Sequence, residues 1–290
     1  MGHLTLETAD VKRLVDYYVD IIGLSVIHQE ADIAYLACPG DYYSLVIQKG
    51  SEPRGRKLSL QLAPDADLDE AMRTLKDEGL KAERRRDSLP GVADLVSFID
   101  PAGLNVELYH ALPACGRWAE PSTGVKPDKL GHAAFFVPAV KNMVEYYVRV
   151  LGFRVSDWNY DFFAFLRCSP DHHTVNIHED EKTRLHHMAF EVRDFSRLRD
   201  SSDCLARHGV QILWGPLRLG AGHNIATYHR DHEGNLIELF TEMDRMSNES
   251  LGYFDARPWH EDNPQRPKTF TNEDANTRRW GLPRPANQRY

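Results

Sequence analysis

Met143-Val144-Glu145-Tyr146-Tyr147-Val148, followed by Gly152-Phe153, repeats an earlier stretch of the same chain. That stretch is Leu14-Val15-Asp16-Tyr17-Tyr18-Val19 with Gly23-Leu24, at an offset of 129 residues. Gly2-His3 recurs as Gly131-His132 at the same offset. Cys38 and Asp41-Tyr42-Tyr43 recur as Cys168 and Asp171-His172-His173, 130 residues on. Asp100, Gly103 and Val106-Glu107-Leu108-Tyr109 recur as Asp231, Gly234 and Ile237-Glu238-Leu239-Phe240, 131 residues on. Matching spread over more than 100 residues marks two homologous halves, 1–112 and 130–243. A breaker-rich linker, 113–129, separates them with Pro113, Gly116, Pro121, Gly124 and Pro127.

Within the second half, Leu130 to Val137 reads as a strand. Val140, Met143, Val144, Tyr147, Val148 and Leu151 then fall at helical spacing. Gly152 suits the position just past the helix end. Short strands follow near Phe162–Leu166 and Thr174–His178. The pattern restarts with a strand at Leu185–Val192 and a helix near Phe195–His208 closed by Gly209. Strands near Gln211–Trp214, Asn224–His229 and Leu236–Thr241 complete it. The chain therefore reads as an α+β protein of four β-α-β-β-β modules. Paired modules form two homologous domains, each a curved mixed sheet around a pocket. Residues 244–290 hold Pro258, Pro264, Pro267, Pro283 and Pro285, so long regular elements are not expected there. Its aromatics (Tyr253, Phe254, Trp259, Trp280) suggest a tail packed on the second domain.

Composition narrows the function classes. The 290 residues are 42% hydrophobic and 27% charged, a globular balance with a net charge of −8. No apolar run reaches the ~20 residues of a membrane helix, and the amino terminus lacks a secretory pattern. The acidic balance argues against nucleic-acid partners. Cys38, Cys115, Cys168 and Cys204 lack CxxC spacing, which points to a reducing cytoplasm.

Ten of the 14 histidines lie between residues 130 and 240. His132 and Glu238 have counterparts in His3 and Glu107, but Leu185-His186-His187-Met188 faces Lys57-Leu58-Ser59-Leu60, with Ser59 opposite His187. The first half thus lacks one potential ligand. Two imidazoles and a carboxylate that leave coordination positions open form the facial triad of mononuclear Fe(II) oxygen chemistry. His132, His187 and Glu238 would each sit on a different strand. Alternation along the strand favours His187 over His186, whose face carries Met188, Phe190 and Val192. Aromatics near the expected pocket, including Phe162, Phe163, Phe165, Trp214 and Tyr228, suit a planar ring and equally a core.

Gly131-His132, His172-His173, Leu185-His186-His187-Met188-Ala189-Phe190-Glu191-Val192 and Tyr228-His229-Arg230-Asp231-His232-Glu233-Gly234-Asn235-Leu236-Ile237-Glu238 resemble the type I extradiol catechol dioxygenases. These belong to the vicinal oxygen chelate (glyoxalase/bleomycin resistance/dioxygenase) superfamily. Arg278-Arg279-Trp280-Gly281 is similar to the end of the homoprotocatechuate-type enzymes. The resemblance implies an Fe(II) enzyme, with Mn(II) as the other metal, that cleaves a catecholic ring with O2 as co-substrate. It implies His132, His187 and Glu238 as ligands, and His173 as the base beside dioxygen. His172 is the fallback there, since alternation sets His173 with Val175 and Ile177. It further implies Tyr228 on a substrate oxygen, Arg279 on an anionic substituent, and a homo-oligomer. Where the family places a second catalytic histidine, 19 residues before the metal glutamate, this chain has Leu219, and His223 is the candidate substitute. The Asp-Pro usual before the last strand is Asp231-His232 here. The competing reading is a non-redox divalent-metal enzyme of the same superfamily, an isomerase, epimerase or glyoxalase-like protein, which consumes no oxygen. A third is a protein that sequesters a small molecule without turnover; such members usually lack the triad.

Overall fold

The sequence repeat is a repeat of sheets. The computed structural model describes residues 1–290 apart from 40, 111, 113–122, 259, 272–278 and 286–290. Pro113, Cys115, Gly116, Pro121, Trp259 and Arg278 therefore lie outside the described residues. The chain divides into two compact units, Met1–Leu130 and Gly131–Tyr290.

The first unit runs β1 (His3–Thr8), α1 (Val11–Tyr17), β2 (Ser25–Gln29), β3 (Ile33–Ala37), β4 (Leu45–Lys49), β5 (Arg54–Leu62), α2 (Leu68–Asp77), β6 (Ala82–Leu89), β7 (Val92–Ile99) and β8 (Asn105–His110). A π-helical turn, Tyr18–Ile22, extends α1 and closes on Gly23 at φ 82°. The eight strands form one curved sheet in the order β2-β3-β4-β1-β5-β8-β7-β6.

The second unit runs β9 (Lys129–Val137), α3 (Val140–Arg149), β10 (Arg154–Asn159), β11 (Phe163–Arg167), β12 (Val175–Glu179), β13 (Arg184–Glu191), α4 (Phe195–Arg207), β14 (Trp214–Arg218), β15 (Ile225–Arg230) and β16 (Leu236–Thr241). Its strands β10-β11-β12-β9-β13-β16-β15-β14 repeat the order of the first unit. After β16 come a hairpin of β17 (Met246–Asn248) and β18 (Tyr253–Phe254), then β19 (Lys268–Phe270) and β20 (Trp280–Gly281). β19 joins the sheet beside β10 and β20 beside β14, so the tail caps both edges. Unpaired edges invite association.

Each module works alike. Its first strand pairs in parallel with its last, as β9 with β12 and β13 with β16, and a helix covers the outer face. α3 is only ten residues long, too short to persist alone in water. It is held because Val140, Met143, Val144 and Tyr147 bury against the strands beneath. Its first amides, on Ala139 and Val140, donate to the Glu179 carboxylate, which completes the open helix end. α4 starts on Asp194, whose side chain accepts from the Arg197 amide at 2.8 Å. β14 begins at Trp214, where the expected strand ended, because the stretch after the helix spends residues 210–213 reaching the sheet.

The ladders also correct the alignment of the halves. Ser59 pairs with Glu107, and Ala189 with Glu238. Counted along β5 and β13, the first-unit counterpart of His187 is therefore Lys57, not Ser59. Identical neighbours are too few on these strands for sequence matching to find that register.

Candidate metal centre and cavity

His132, His187 and Glu238 stand on β9, β13 and β16, three adjacent strands at the middle of the second sheet. Their side chains converge. His132 Nε2 and His187 Nε2 are 3.2 Å apart. Glu238 Oε2 lies 3.3 Å from the first and 3.2 Å from the second. All three are buried. Two donors held at right angles on one ion are separated by about 1.4 bond lengths, so bonds of about 2.1–2.2 Å give edges of roughly 3.0–3.1 Å. The observed triangle fits a divalent cation. Glu238 Oε2 makes no hydrogen bond of good geometry, and a cation would satisfy it. Oε1 accepts from Asn224 Nδ2 at 2.8 Å, which fixes the carboxylate plane. Burial pushes the Glu238 carboxyl up, but the His132 and His187 imidazoles overcome this and hold it well below its usual range. Burial lowers His132, against the pull of Glu238. Both directions give a neutral imidazole and an ionised carboxylate, the forms that bind metal.

The triad lies at the floor of a cavity of about 730 Å³. Phe162, Phe163, Phe165, Trp214, Leu217 and Leu219 form its apolar wall. Trp214 and Phe165, expected at the pocket, are both there. Tyr228 sits opposite Glu238 on the neighbouring strand, stacked on Trp214 at 4.4 Å and 16°. Asn159 and Asn176 also line the cavity, each with a buried amide oxygen that has no hydrogen-bond partner among the described residues. His178, His186 and Arg284 border it too. His186 thus turns to the cavity instead of the helix-covered face, packing on Phe136.

His173 and His172 are placed unequally. Both precede β12, in a turn where strand alternation has no hold. His173 lines the cavity with its ring 4.3 Å from His132. His172 points away, against Asp157 and Phe254. Burial, then the neighbouring histidines, drives His173 well below its usual range, so the ring is neutral.

Two expected residues are elsewhere. His223 does not line the cavity. It adopts φ 48° and turns to Asp244, with Nδ1 2.8 Å from Oδ2, while His260 approaches the same carboxylate at 2.9 Å. Leu219 keeps the cavity wall apolar there. Arg279 pairs with Glu261 at 2.8 Å outside the cavity; Arg284, past β20, reaches the wall instead. Asn159, Asn176, Asn224 and Arg284 were not anticipated. Only Asn224, a buried amide one residue before a strand, carried a local signal.

A sequence model described as the glyoxalase/bleomycin resistance protein/dioxygenase superfamily matches residues 1–108 and 129–239. A manganese-dependent 2,3-dihydroxybiphenyl 1,2-dioxygenase of Geobacillus genomosp. 3 is 23% identical over 264 residues, 83% of this chain and 84% of the relative. Metapyrocatechase of Pseudomonas sp. (strain CF600) is 24% identical over 259 residues, 82% of this chain and 84% of the relative. The Mn(II)-bound glyoxalase from Novosphingobium aromaticivorans has a TM-score of 0.84 at 24% identity, covering 99% of this chain and 93% of its own. The 2,3-dioxygenase LapB from Pseudomonas sp. KL28 gives 0.80 at 21%, covering 93% and 96%. These two structural likenesses speak to the fold. Among the described residues, no helix is long and apolar enough to cross a membrane.

Proposed function

Because this chain belongs to the glyoxalase/bleomycin resistance protein/dioxygenase superfamily, we propose that it is a divalent-metal extradiol dioxygenase, opening a catecholic ring with O2. The observation that carries this reading is the buried triangle of His132, His187 and Glu238 under an aromatic-walled cavity. Fe(II) is the metal we assign, with Mn(II) as the alternative; both accept two imidazoles and a carboxylate. The curated relatives of similar length carry names of ring-cleaving dioxygenases, one of them manganese-dependent.

His132, His187 and Glu238 would hold the metal. Bound there, it would acidify a catechol hydroxyl and connect the electron-rich ring to dioxygen. The remaining work belongs to the chain. Phe162, Phe163, Phe165, Trp214 and Leu217 hold the ring and exclude water. Tyr228, kept upright by Trp214, is placed to hold a substrate oxygen. His173 is placed to take a hydroxyl proton. Asn159 and Asn176 offer amide groups to the substrate's polar edge. Arg284 brings a cation to one side of the cavity, beside His178 and His186, whose burial keeps them uncharged, and this favours an anionic substituent over an uncharged one.

The test is oxygen uptake by anaerobically prepared, Fe(II)-loaded protein on a panel of catechols, with the visible spectrum recorded throughout. Uptake with a yellow ring-opened product supports the proposal. One bound metal per chain with no uptake on any catechol moves the chain to non-redox chemistry.

A further inference from the structure

Behind His173 lies a file of buried polar groups that the cavity does not explain. His173 Nδ1 is 3.0 Å from His172 Nδ1. His172 Nε2 is 3.0 Å from Asp157 Oδ2. Asp157 Oδ1 accepts the backbone N–H of Lys268, on the tail strand β19, at 2.8 Å. Asp157 and His172 are fully buried, and His173 is 2% exposed. We propose that Asp157 and His172 are positioning residues that fix the tautomer of His173, leaving its Nε2 bare as the proton acceptor at the cavity. This rests on the reading of His173 as the base of that site.

The hydrogens follow from the partners. An ionised carboxylate only accepts, so His172 Nε2 carries a proton. With that proton on Nε2, the uncharged form of His172 keeps a lone pair on Nδ1. The contact between the two Nδ1 atoms needs one hydrogen, which in the proposed arrangement comes from His173; a doubly protonated His172 would supply it instead and give the opposite tautomer. Neutral His173 therefore has no proton on Nε2. Because Nδ1 is engaged behind, Nε2 is the nitrogen left for the cavity that the ring lines.

Water is kept from this file. Phe254 stacks on His172 with centroids 5.0 Å apart, and Phe165 edges His173 at 5.3 Å. The turn at Gly222 (φ +73°) closes over the junction; a Cβ there would meet His172 Nδ1 at 3.1 Å and His173 Cε1 at 3.2 Å. Asp244 ties the turn down. Its N–H donates to the Gly222 carbonyl at 2.8 Å, and its carbonyl accepts from His172 N–H at 2.9 Å. His223 and His260 clamp its carboxylate. The tail thus meets the file directly through Phe254 and Lys268, and through His260 by way of Asp244, while its Arg284 lines the cavity.

The file also has a use. A proton taken from a hydroxyl forms a bond at His173 Nε2. The Nδ1–H bond of His173 then breaks as an N–H bond forms at His172 Nδ1. The positive charge ends beside Asp157 instead of beside His132.

The readout is the tautomer itself, by long-range proton–nitrogen NMR on protein labelled with nitrogen-15 at histidine and loaded with diamagnetic Zn(II). Signals are assigned by their loss in His173→Gln and His172→Gln. The expected wild-type spectrum shows His172 protonated on Nε2 and His173 on Nδ1. Asp157→Asn keeps the shape and keeps an oxygen for Lys268, but turns an amide donor toward His172. Both tautomers should invert, and kcat for oxygen uptake on catechol should fall roughly 100-fold with KM within about twofold. A wild-type His173 protonated on Nε2 overturns the proposal, and needs no variant to be seen. So does an Asp157→Asn protein whose tautomers are those of wild type. A wild type that consumes no dioxygen sinks the ring-cleavage reading instead, and the spectra still decide the tautomers.

Discussion

In the first unit, Lys57 holds the ladder position that His187 holds in the second, and its ammonium lies 2.5 Å from Glu107 Oε1. A side-chain cation thus sits on the carboxylate where the second unit presents the triangle of two imidazoles and a carboxylate. His3 completes the parallel, with Nε2 3.9 Å from Glu107. Ser59 donates to the other oxygen of Glu107 at 3.0 Å. The first unit has kept the architecture and filled the site with its own charge.

Lys57→His should therefore rebuild a triad of two imidazoles and a carboxylate. We expect bound divalent metal to rise from one to two per chain, read by metal analysis after dialysis. A content that stays at one would show that Ser59 and the surrounding packing also forbid the site.

Glu107→Gln should leave metal content at one per chain and cost stability. Glu107 is 2% exposed and Lys57 17%, so the variant strands a mostly buried ammonium, at roughly 2–4 kcal/mol. Chemical unfolding followed by circular dichroism checks the cost; metal loss would contradict the assignment to the second unit.

The sequence exposes some of these residues and hides others. The triad could be read because each member falls inside a strand and two of the three recur in the repeat; alternation alone does not separate His187 from His186, since both line the cavity. Lys57 could not, since its assignment depends on ladder register, and β1 against β5 carries an irregularity between Thr5 and Leu6. Strand alternation turns His173 away from the cavity that it lines, because a turn, not a strand, orients it and His172. Arg284 and Asn159 reach the cavity by tertiary placement alone, which leaves no period in the sequence.

Tyr228→Phe should lower kcat by about 10–100-fold while leaving the melting temperature within a few degrees. The ring keeps its stack on Trp214, so only the hydroxyl is lost. Steady-state oxygen uptake on catechol measures it, and unchanged kcat would remove Tyr228 from the chemistry.

Acid should weaken the fold through His3 and His229. Burial holds His229 down at about 3. Burial, then the Lys57 ammonium, holds His3 at about 3. Unfolded, each returns to about 6.5. Above that value both states are neutral and stability is full. As pH falls from about 6.5 towards 3 the unfolded chain takes up the protons, and stability drops by about 1.4 kcal/mol per unit per group. His229→Phe should make this slope shallower by about one proton. It also removes two buried ring nitrogens with no partner among the described residues. Urea unfolding at pH 7 and pH 5 compares the slopes; equal slopes would contradict the burial argument.

If the proposed reaction holds, both atoms of dioxygen should enter a catecholic ring beside its hydroxyl pair. Fe(II)-loaded protein should be given catechol under oxygen-18 gas and the product weighed by mass spectrometry within the first turnovers. The expected product is a ring-opened semialdehyde acid heavier by two labelled oxygens, less whatever exchanges from the aldehyde, with no product from Glu238→Gln. A chain that binds one metal, keeps its fold and returns unlabelled catechol would contradict it.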